Sequence, residues 1–254
     1  MKLTIIIPCY NEKYTIKKLV EKIISLNLSK QNIIVDDCSM DGSLEIIKSF
    51  KEKVDKIIYH KKNMGKGAAI KSSFDYIIGD FVVIQDADLE YNPDDLLDMY
   101  KLIIKNNYDV LYGSRVLGKN RYKDNSGFTS IFRIFANHFL TEISNLVNNQ
   151  KLTDAHTCYK MFKSKVFKKI TLRENDFSFC PEVTTKLSNL KIPIHEVPIS
   201  YSGRSYEEGK KISFKDAIKA IYVIIKYSLY KWEKKNKIAL IFGVTGQDGA
   251  YLSK

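Results

Sequence analysis

Along its first 112 residues the chain alternates between short apolar runs and longer stretches in which apolar side chains recur at helical spacing. The apolar runs predict five strands that are buried on both faces, at residues 3–8, 32–35, 54–59, 80–85 and 109–112. The stretches between them predict four helices, at residues 12–26, 42–50, 66–78 and 93–105. This alternation predicts an α/β fold, with a mostly parallel sheet and helices on both faces.

The last of these helices has the clearest start signal, because Asn92 is a candidate N-cap and Pro93 would take the first helical position. After Arg115 the pattern changes. The remaining segments predict a polar loop at 119–127, helices at 128–147, 182–190 and 213–235, and strands at 159–162 and 193–201.

Composition narrows the class of protein. Hydrophobic residues make up 44% of the 254 residues and charged residues 28%, which suffices for a folded core and excludes a disordered chain. The four cysteines form no CxxC pair, which argues against a zinc site or a disulfide framework and fits a reducing cytosol. No apolar run approaches the roughly 20 residues of a membrane span, and we expect no secretory leader.

The net charge of +12 has two explanations. Lysine greatly outnumbers arginine, which is typical of A/T-rich coding, so the charge can reflect a solvated lysine-rich surface. Alternatively, it attracts an anionic partner such as membrane phospholipid, a phosphorylated substrate or nucleic acid. The chain carries no recognisable nucleic-acid-binding motif, so we expect no nucleic-acid partner.

Polar or glycine-rich segments follow all five predicted strands. They are residues 8–12, 36–37, 63–67, 86–88 and 113–115. In parallel α/β sheets, ligands bind at the carboxyl ends of the strands, so we expect these segments to line one cleft.

Asp86 and Asp88 form the first candidate site within this set. Two carboxylates at positions i and i+2 after an apolar strand can present oxygens to Mg²⁺ or Mn²⁺, which are commonly shared with substrate phosphates. The structural alternative is a solvated turn or a cap for the helix that follows.

The neighbouring segments add groups suited to a nucleotide. Asp37 can accept hydrogen bonds from a nucleobase or ribose, although Ser39 and Asp41 nearby also suit helix capping. Lys66 lies in a glycine-containing loop and can approach a phosphate. Arg115 is one of few arginines, and a guanidinium holds phosphate oxygens at two points.

Taken together and in this order, the motifs resemble the family 2 glycosyltransferases, in particular the dolichol-phosphate mannose synthase branch. The resemblance extends from residue 3 to about residue 230. It rests on residues 7–12, 35–43, 63–67, 85–89, 112–115, 154–160, 181–182, 196–201 and 204–211.

The resemblance implies a GT-A fold and a hexosyltransferase that inverts the anomeric carbon. The implied donor is a nucleotide-diphosphate-sugar, GDP-mannose or a UDP-hexose, and the implied acceptor is a polyprenyl phosphate. The alternatives are transfer to a hydroxyl of a surface-glycan intermediate, or a catalytically silent nucleotide-sugar-binding protein. One departure is Glu90, where that branch often has Gln, which bears on the sugar and the metal.

The resemblance also implies roles for single residues. It assigns Pro8, Tyr10, Glu12 and Asp37 to the nucleoside, and Asp86 and Asp88 to the diphosphate and the metal, Mg²⁺ or Mn²⁺, beside which Lys66 is the candidate phosphate contact from its glycine-containing loop. It implies Asp88, Arg115 and Arg204 as catalytic residues, the two arginines by neutralising phosphate charge on the acceptor or the donor. A hydroxyl acceptor would also need a general base, for which Asp154 and Glu182 are candidates.

The histidines carry weaker expectations. His156 lies within the resembling segment 154–160 and is a candidate to line the acceptor side. His195 lies in a predicted strand, which favours a structural role. We assign no function to His60 or His138.

We therefore divide the chain into a nucleotide-sugar-binding half (1–115), an acceptor-binding half of the same domain (116–212), an amphipathic C-terminal helix (213–236) and a tail (237–254). Lysines and aromatic residues alternate in the helix, which suits either peripheral contact with anionic lipid on the cytoplasmic face of a membrane or ordinary packing on the sheet.

The tail resembles the opening strand and nucleotide loop of GDP-mannose 4,6-dehydratases. Because it stops after one turn, we interpret it as a truncated fusion or a frame-disrupted neighbouring gene, without NAD(P) binding.

Overall fold

A computed structural model describes residues 1–118, 128–203 and 214–235, with side chains over 1–118, 134–203 and 215–229. The predicted loop at 119–127, Arg204 and the tail at 237–254 lie outside the described residues. The described strands are β1 Leu3–Cys9, β2 Lys30–Asp36, β3 Lys56–Tyr59, β4 Phe81–Ile84, β5 Val110–Ser114, β6 Lys160–Lys163 and β7 His195–Pro198. The described helices are α1 Ile16–Ser25, α2 Ser43–Ser49, α3 Lys66–Ser72, α4 Asp95–Lys105, α5 Phe128–Asn148, α6 Ser164–Lys169, α7 Phe179–Asn189 and α8 Phe214–Lys235.

The seven strands form one sheet in the order β3-β2-β1-β4-β6-β5-β7. All neighbours are parallel except β6, which lies antiparallel between β4 and β5. The predicted mostly parallel sheet is therefore confirmed. In register, Cys9 lies beside Asp36, and Asp36 lies beside Tyr59, so β1, β2 and β3 end at the same edge.

The apolar runs form strands because both faces of the sheet are covered. Ile5, Ile6 and Ile7 of β1 are completely buried, as is the whole of β4 apart from slight exposure of Phe81. Full burial of one such side chain stabilises the fold by roughly 1.5–3 kcal/mol. The resulting rigid core fixes the positions of the loops that follow each strand.

The start of α4 differs from the prediction. The helix begins at Asp95, two residues after the predicted Pro93. Asn92 caps the preceding turn instead, because its Oδ1 accepts the amide of Asp94 at 3.2 Å and its carbonyl accepts the amide of Asp95 at 3.1 Å. Asn92 therefore acts as a cap, but it caps the turn that leads into α4 and not α4 itself.

Other boundaries differ as well, and helix α1 begins at Ile16, four residues after the predicted start. Helix α7 begins at Phe179, ahead of the predicted residue 182, because Pro181 is tolerated in a first turn where its missing N–H has no helical partner. Helix α3 ends at Ser72 and a short 3₁₀ turn follows it. The predicted strand at 193–201 reduces to β7, with Tyr201 forming an isolated bridge to Tyr91.

Helices α5, α7 and α8 pack together. The face of α8 that is buried there consists of Ala220, Val223, Ile224 and Tyr227. Both long helices also leave rows of exposed apolar side chains at helical spacing, Phe135 and Phe139 on α5 and Ile218, Tyr222, Ile225 and Leu229 on α8. We call these the apolar rows. Among the described helices, none is long and apolar enough to cross a bilayer.

Candidate active site

A cleft of about 570 Å³ opens at the carboxyl edge of the sheet. The loops after β1, β2, β3, β4 and β5 all contribute to its wall, which is the convergence that the sequence predicts. Eight of the predicted site residues line it, namely Pro8, Tyr10, Glu12, Asp37, Lys66, Asp86, Asp88 and Arg115, whereas the candidate bases Asp154 and Glu182 do not.

Asp37 organises the loop after β3. Its Oδ1 accepts the amide of Met64 at 2.8 Å and lies 2.6 Å from His60 Nδ1, and its Oδ2 accepts the amide of Gly65 at 2.7 Å. His60 is oriented in turn by Ser72, whose Oγ lies 2.8 Å from Nε2. His60 therefore positions Asp37, although the sequence analysis gave it no function. His60 follows β3 directly, and Asp37 follows the neighbouring strand β2. This position is the sequence feature that could have predicted the contact.

The same loop requires glycine where it meets the segment before α7. Gly65 has φ +93°, and a Cβ there would lie 2.5 Å from the carbonyl oxygen of Asn175. A Cβ on Gly67 would lie 2.5 Å from the carbonyl oxygen of Glu174. The amide of Ala68 donates to Asn175 O at 2.9 Å. The loop is thus clamped between Asp37 and a segment about a hundred residues further along the chain.

Lys66 and Asp86 form an ion pair inside the cleft, with Nζ 2.5 Å from Oδ1. Lys66 Nζ also donates to Cys158 Sγ at 3.2 Å. Burial acts to lower the pKa of Lys66, but Asp86, Cys158 and Cys180 together outweigh burial and hold that pKa well above its usual value. Burial, with Asp86 nearby, raises the pKa of the Cys158 thiol, which therefore stays neutral.

Asp88 lies at a tight bend of the chain. Its Oδ1 accepts the amide of Glu90 at 3.1 Å, and the intervening Leu89 has φ +59°, a conformation that non-glycine residues rarely adopt. Glu90 accepts a hydrogen bond from Tyr201 Oη at 2.8 Å. The residue that departs from the resembling branch is therefore a partner of Tyr201 at the cleft wall.

The carboxylate oxygens in the cleft suit a divalent cation that a substrate also helps to bind. Asp86 and Asp88 offer carboxylate oxygens, and the ammonium of Lys66 already places a positive charge against Asp86. Within the described residues, no group of three or more acidic, histidine or cysteine side chains is arranged to hold a metal alone. Such a site suits Mg²⁺ or Mn²⁺ bound by one or two carboxylates plus phosphate oxygens.

Arg115 forms a two-point ion pair with Asp154, Nε to Oδ2 at 2.7 Å and Nη2 to Oδ1 at 2.8 Å. Glu196 supports the pair by accepting the amides of Thr153 and Asp154 at 2.7 and 3.0 Å. Burial acts to lower the pKa of Arg115, and Asp154 raises it above its usual value. Asp154 is thus engaged as a counter-ion, and Glu196 is a positioning residue that the sequence analysis did not single out.

Glu182, the other candidate base, is completely buried and does not line the cleft. Its oxygens accept the amides of Arg173 and Glu174 at 2.7 and 2.9 Å, and Lys186 Nζ lies 2.5 Å away. These contacts hold the segment at 173–175, against which Gly65 and Gly67 of the loop after β3 pack. Glu182 therefore supports the wall of the cleft without lining it.

The histidines separate into two groups. His156 lines the cleft, as expected, and its buried Nε2 has no hydrogen-bond partner among the described residues. Burial, followed by the charge of Lys160, lowers the pKa of His156 to about 4, so its imidazole is neutral at neutral pH. His195 stacks on Tyr108 with ring centroids 3.6 Å apart, which is a structural role.

Helices α5 and α8, with the segment just before α7, line the cleft with the small and apolar side chains Ala136, Leu140, Phe177, Ala217 and Ala220, which we call the apolar wall. The polar side chains Asn137, Asp176 and Asp216 from the same elements also line the cleft. The same space therefore combines charged groups with apolar side chains.

Comparisons with known proteins agree with this architecture. The family model described as glycosyl transferase family 2 matches residues 4–171. A dolichol-phosphate mannosyltransferase from Pyrococcus furiosus is 25% identical over 259 aligned positions, covering all of this chain and 71% of that protein. A UDP-N-acetylglucosamine–dolichyl-phosphate N-acetylglucosaminyltransferase from Methanococcus voltae is 26% identical over 247 positions, covering 89% of this chain and 96% of that protein.

Two solved structures share the fold. Mannosyl-3-phosphoglycerate synthase from Rubrobacter xylanophilus superposes with a TM-score of 0.66 at 15% identity, covering 95% of this chain and 77% of that one. Glucosyl-3-phosphoglycerate synthase from Mycobacterium tuberculosis, solved with Mn²⁺, UDP and glucosyl-3-phosphoglycerate, gives 0.65 at 13% identity, covering 91% and 79%. The expected GT-A fold is confirmed.

Proposed function

Because the chain belongs to glycosyl transferase family 2, we propose that it transfers a hexosyl group from a nucleoside-diphosphate sugar to a polyprenyl phosphate, with inversion at the anomeric carbon. The donor is GDP-mannose or a UDP-hexose. Two relatives support the acceptor class, because their names contain dolichol phosphate or dolichyl phosphate. The observation that carries the proposal is the cleft, in which groups suited to a diphosphate and an apolar wall suited to a lipid chain line one space.

The donor belongs to the half of the cleft formed by residues 1–115. Pro8, Tyr10, Glu12 and Asp37 hold the nucleoside. Asp37 is suited to this role because its loop contacts fix the position of its carboxylate before any ligand arrives. A preformed site lowers the cost of ordering groups on binding.

Asp86 and Asp88 hold Mg²⁺ or Mn²⁺. When bound, the cation neutralises the charge that grows on the diphosphate as the glycosidic bond breaks. Lys66 places its ammonium beside Asp86 and so contributes a further positive charge to the same leaving group. Loss of either carboxylate therefore removes stabilisation that matters most in the transition state.

The acceptor belongs to the half formed by residues 116–212. Arg115, together with Arg204 outside the described residues, neutralises phosphate charge there. A phosphate oxygen is already anionic, so its attack on the anomeric carbon needs no general base. This agrees with the contacts of Asp154 and Glu182, which commit both carboxylates to ion pairs and backbone amides.

The apolar rows of α5 and α8 provide a surface for peripheral contact with an anionic membrane on its cytoplasmic side. The two helices that carry these rows also supply Leu140 and Ala220 to the apolar wall of the cleft. A net charge of +12 adds attraction to anionic lipid. A lipid acceptor can then enter the cleft without crossing water.

A donor screen tests this function. The protein is incubated with Mg²⁺ or Mn²⁺, undecaprenyl phosphate and labelled GDP-mannose, UDP-glucose or UDP-N-acetylglucosamine, and label is counted in the organic phase. We expect one donor to label the lipid, and Asp88→Asn to abolish the labelling. The control is Asp98→Asn, because Asp98 is an exposed carboxylate on α4 with a side chain 84% accessible. Absence of label from the organic phase with every donor would refute the lipid acceptor.

A further inference from the structure

We propose that Lys66 acts as a built-in counter-ion for Asp86 that couples the binding of the divalent cation to the binding of the nucleoside diphosphate. The inference rests on the proposed function, since it concerns the same cleft. It deepens that function by giving Lys66 a role in the order and cooperativity of binding.

The first step is the geometry of the ion pair. Lys66 Nζ lies 2.5 Å from Asp86 Oδ1, and the two side chains are only 12% and 19% exposed. The second described contact of the ammonium is the Cys158 thiol at 3.2 Å. The carboxylate that the metal needs is therefore already bound to a cation.

The second step is electrostatic. A divalent cation that takes Asp86 would lie a few ångströms from the ammonium, and like charges repel strongly in a site that is shielded from water. If the ammonium left Asp86, its remaining described contacts would be the Cys158 thiol at 3.2 Å and the Phe177 ring, whose centroid lies 5.8 Å from Nζ, and neither is an acidic residue. The metal alone is therefore opposed by a buried positive charge.

The third step is that the diphosphate removes this opposition. Its oxygens can accept the ammonium of Lys66 while also contacting the cation, as phosphate oxygens do in Mg²⁺ sites. Asp86 is then released to the metal, and each positive charge has an anionic partner. Metal and nucleotide thus each improve the site for the other, which is a positive coupling.

The backbone position of Lys66 limits the partners that its ammonium can reach. The residue lies between Gly65 and Gly67, and a Cβ on either glycine would approach the 174–175 backbone to 2.5 Å. The loop cannot shift outward without breaking this contact. The ammonium therefore exchanges partners within the cleft, where Asp86 and the diphosphate compete for it.

Binding measurements test the coupling without any turnover. Free Mn²⁺ is followed by electron paramagnetic resonance as it is titrated with wild-type protein, Lys66→Met and Lys66→Arg, each with and without GDP or UDP. Lys66→Met removes the charge and keeps most of the stem, whereas Lys66→Arg keeps the charge. The control is Lys101→Met, because Lys101 is an exposed lysine on α4. Thermal melting checks that every variant is folded.

We expect Lys66→Met to bind Mn²⁺ alone about ten-fold more tightly than wild type, and the tightening caused by nucleotide to fall by a similar factor. Lys66→Arg, which keeps the positive charge, should bind Mn²⁺ alone no more tightly than wild type, and Lys101→Met should behave like wild type. Unchanged or weaker Mn²⁺ binding by Lys66→Met, in the absence of nucleotide, would overturn the proposal. If neither GDP nor UDP binds any of the proteins, the proposed function fails instead, and the Mn²⁺ titrations alone still decide the role of Lys66.

Discussion

Arg115 and Asp154 form a buried two-point ion pair that joins the end of β5 to the loop before β6, with N–O distances of 2.7 and 2.8 Å. The two residues are 39 positions apart in the chain. The pair therefore ties the half of the cleft that is proposed to bind the nucleotide to the half that is proposed to bind the acceptor.

Asp154→Asn tests the strength of this connection. The substitution keeps the shape of the side chain but leaves the guanidinium of Arg115 buried without a counter-charge. We expect the free energy of unfolding in urea to fall by roughly 3–5 kcal/mol. Asp98→Asn, which removes one partner of an exposed pair with Lys101, should change it by less than about 1 kcal/mol. Equal small effects of both variants would show that Arg115 does not depend on Asp154.

Gly65→Ala tests the contact between the loop after β3 and the segment before α7. Gly42→Ala is the comparison variant, because Gly42 has a similar φ of +98° but a Cβ there would meet only Lys13 Cδ at 3.8 Å. Gly42 has ψ 1°, so its alanine variant carries only the cost of a left-handed conformation, about 1–2 kcal/mol. Gly65 has ψ 162°, a region that is essentially restricted to glycine, so its alanine variant carries a backbone cost in addition to the close contact. We expect Gly65→Ala to lose more stability than the control and to weaken binding of GDP or UDP, measured by calorimetry. Indistinguishable variants would contradict the clamped loop.

The residues in these two predictions also show which parts of the site can be predicted from the sequence. The strands β1 to β5 and the cleft-lining residues follow from apolar runs and from the polar segments after them. The clamp on Gly65 does not, because its partner Asn175 lies in a distant segment with no pattern of its own. Likewise, only the fold brings Glu196 to the amide of Asp154, 42 residues away.

The buried and exposed faces of α8 are a second feature that the sequence alone does not predict. Its apolar side chains lie almost all around the helix, so periodicity alone does not decide which ones are buried. In the structure Val223 and Ile224 pack inward, while Ile218 and Tyr222 are exposed. The contacts of α8 with α5 and α7 decide which of its side chains are buried.

Lys160 predicts a dependence of stability on pH. Its ammonium is completely buried, donates to Ala155 O at 2.9 Å and lies 3.7 Å from the centre of the Tyr112 ring. Burial lowers the pKa of Lys160 to about 8, from 10.5 in the unfolded chain. Between these two values the unfolded chain binds more protons, so this residue makes the folded state more stable as the pH rises.

The test compares wild type with Lys160→Met. As the pH rises from 7 to 10, we expect the unfolding free energy of wild type to gain about 2–3 kcal/mol relative to the variant. The comparison cancels titrations that both proteins share. A difference that stays constant with pH would mean that Lys160 keeps an ordinary pKa.

The apolar rows predict membrane binding. Phe139→Asp combined with Ile225→Asp places charge in the rows of α5 and α8, whose side chains here are 54% and 44% exposed. We expect sedimentation with phosphatidylglycerol vesicles to fall about ten-fold or more. Ile78→Asp is the control, since Ile78 is 67% exposed in the loop before β4. If the double variant sediments as wild type does, the rows do not face lipid.

The central claim is transfer of the sugar to an anionic lipid phosphate without a general base. It is tested most directly by offering the labelled donor with either undecaprenyl phosphate or undecaprenol, which share one lipid chain and differ in the attacking group. We expect label in undecaprenyl phosphate alone, and a loss of about 100-fold or more with Asp88→Asn. Label in undecaprenol at a comparable rate, or no label in the phosphate from any donor that binds, would contradict the account.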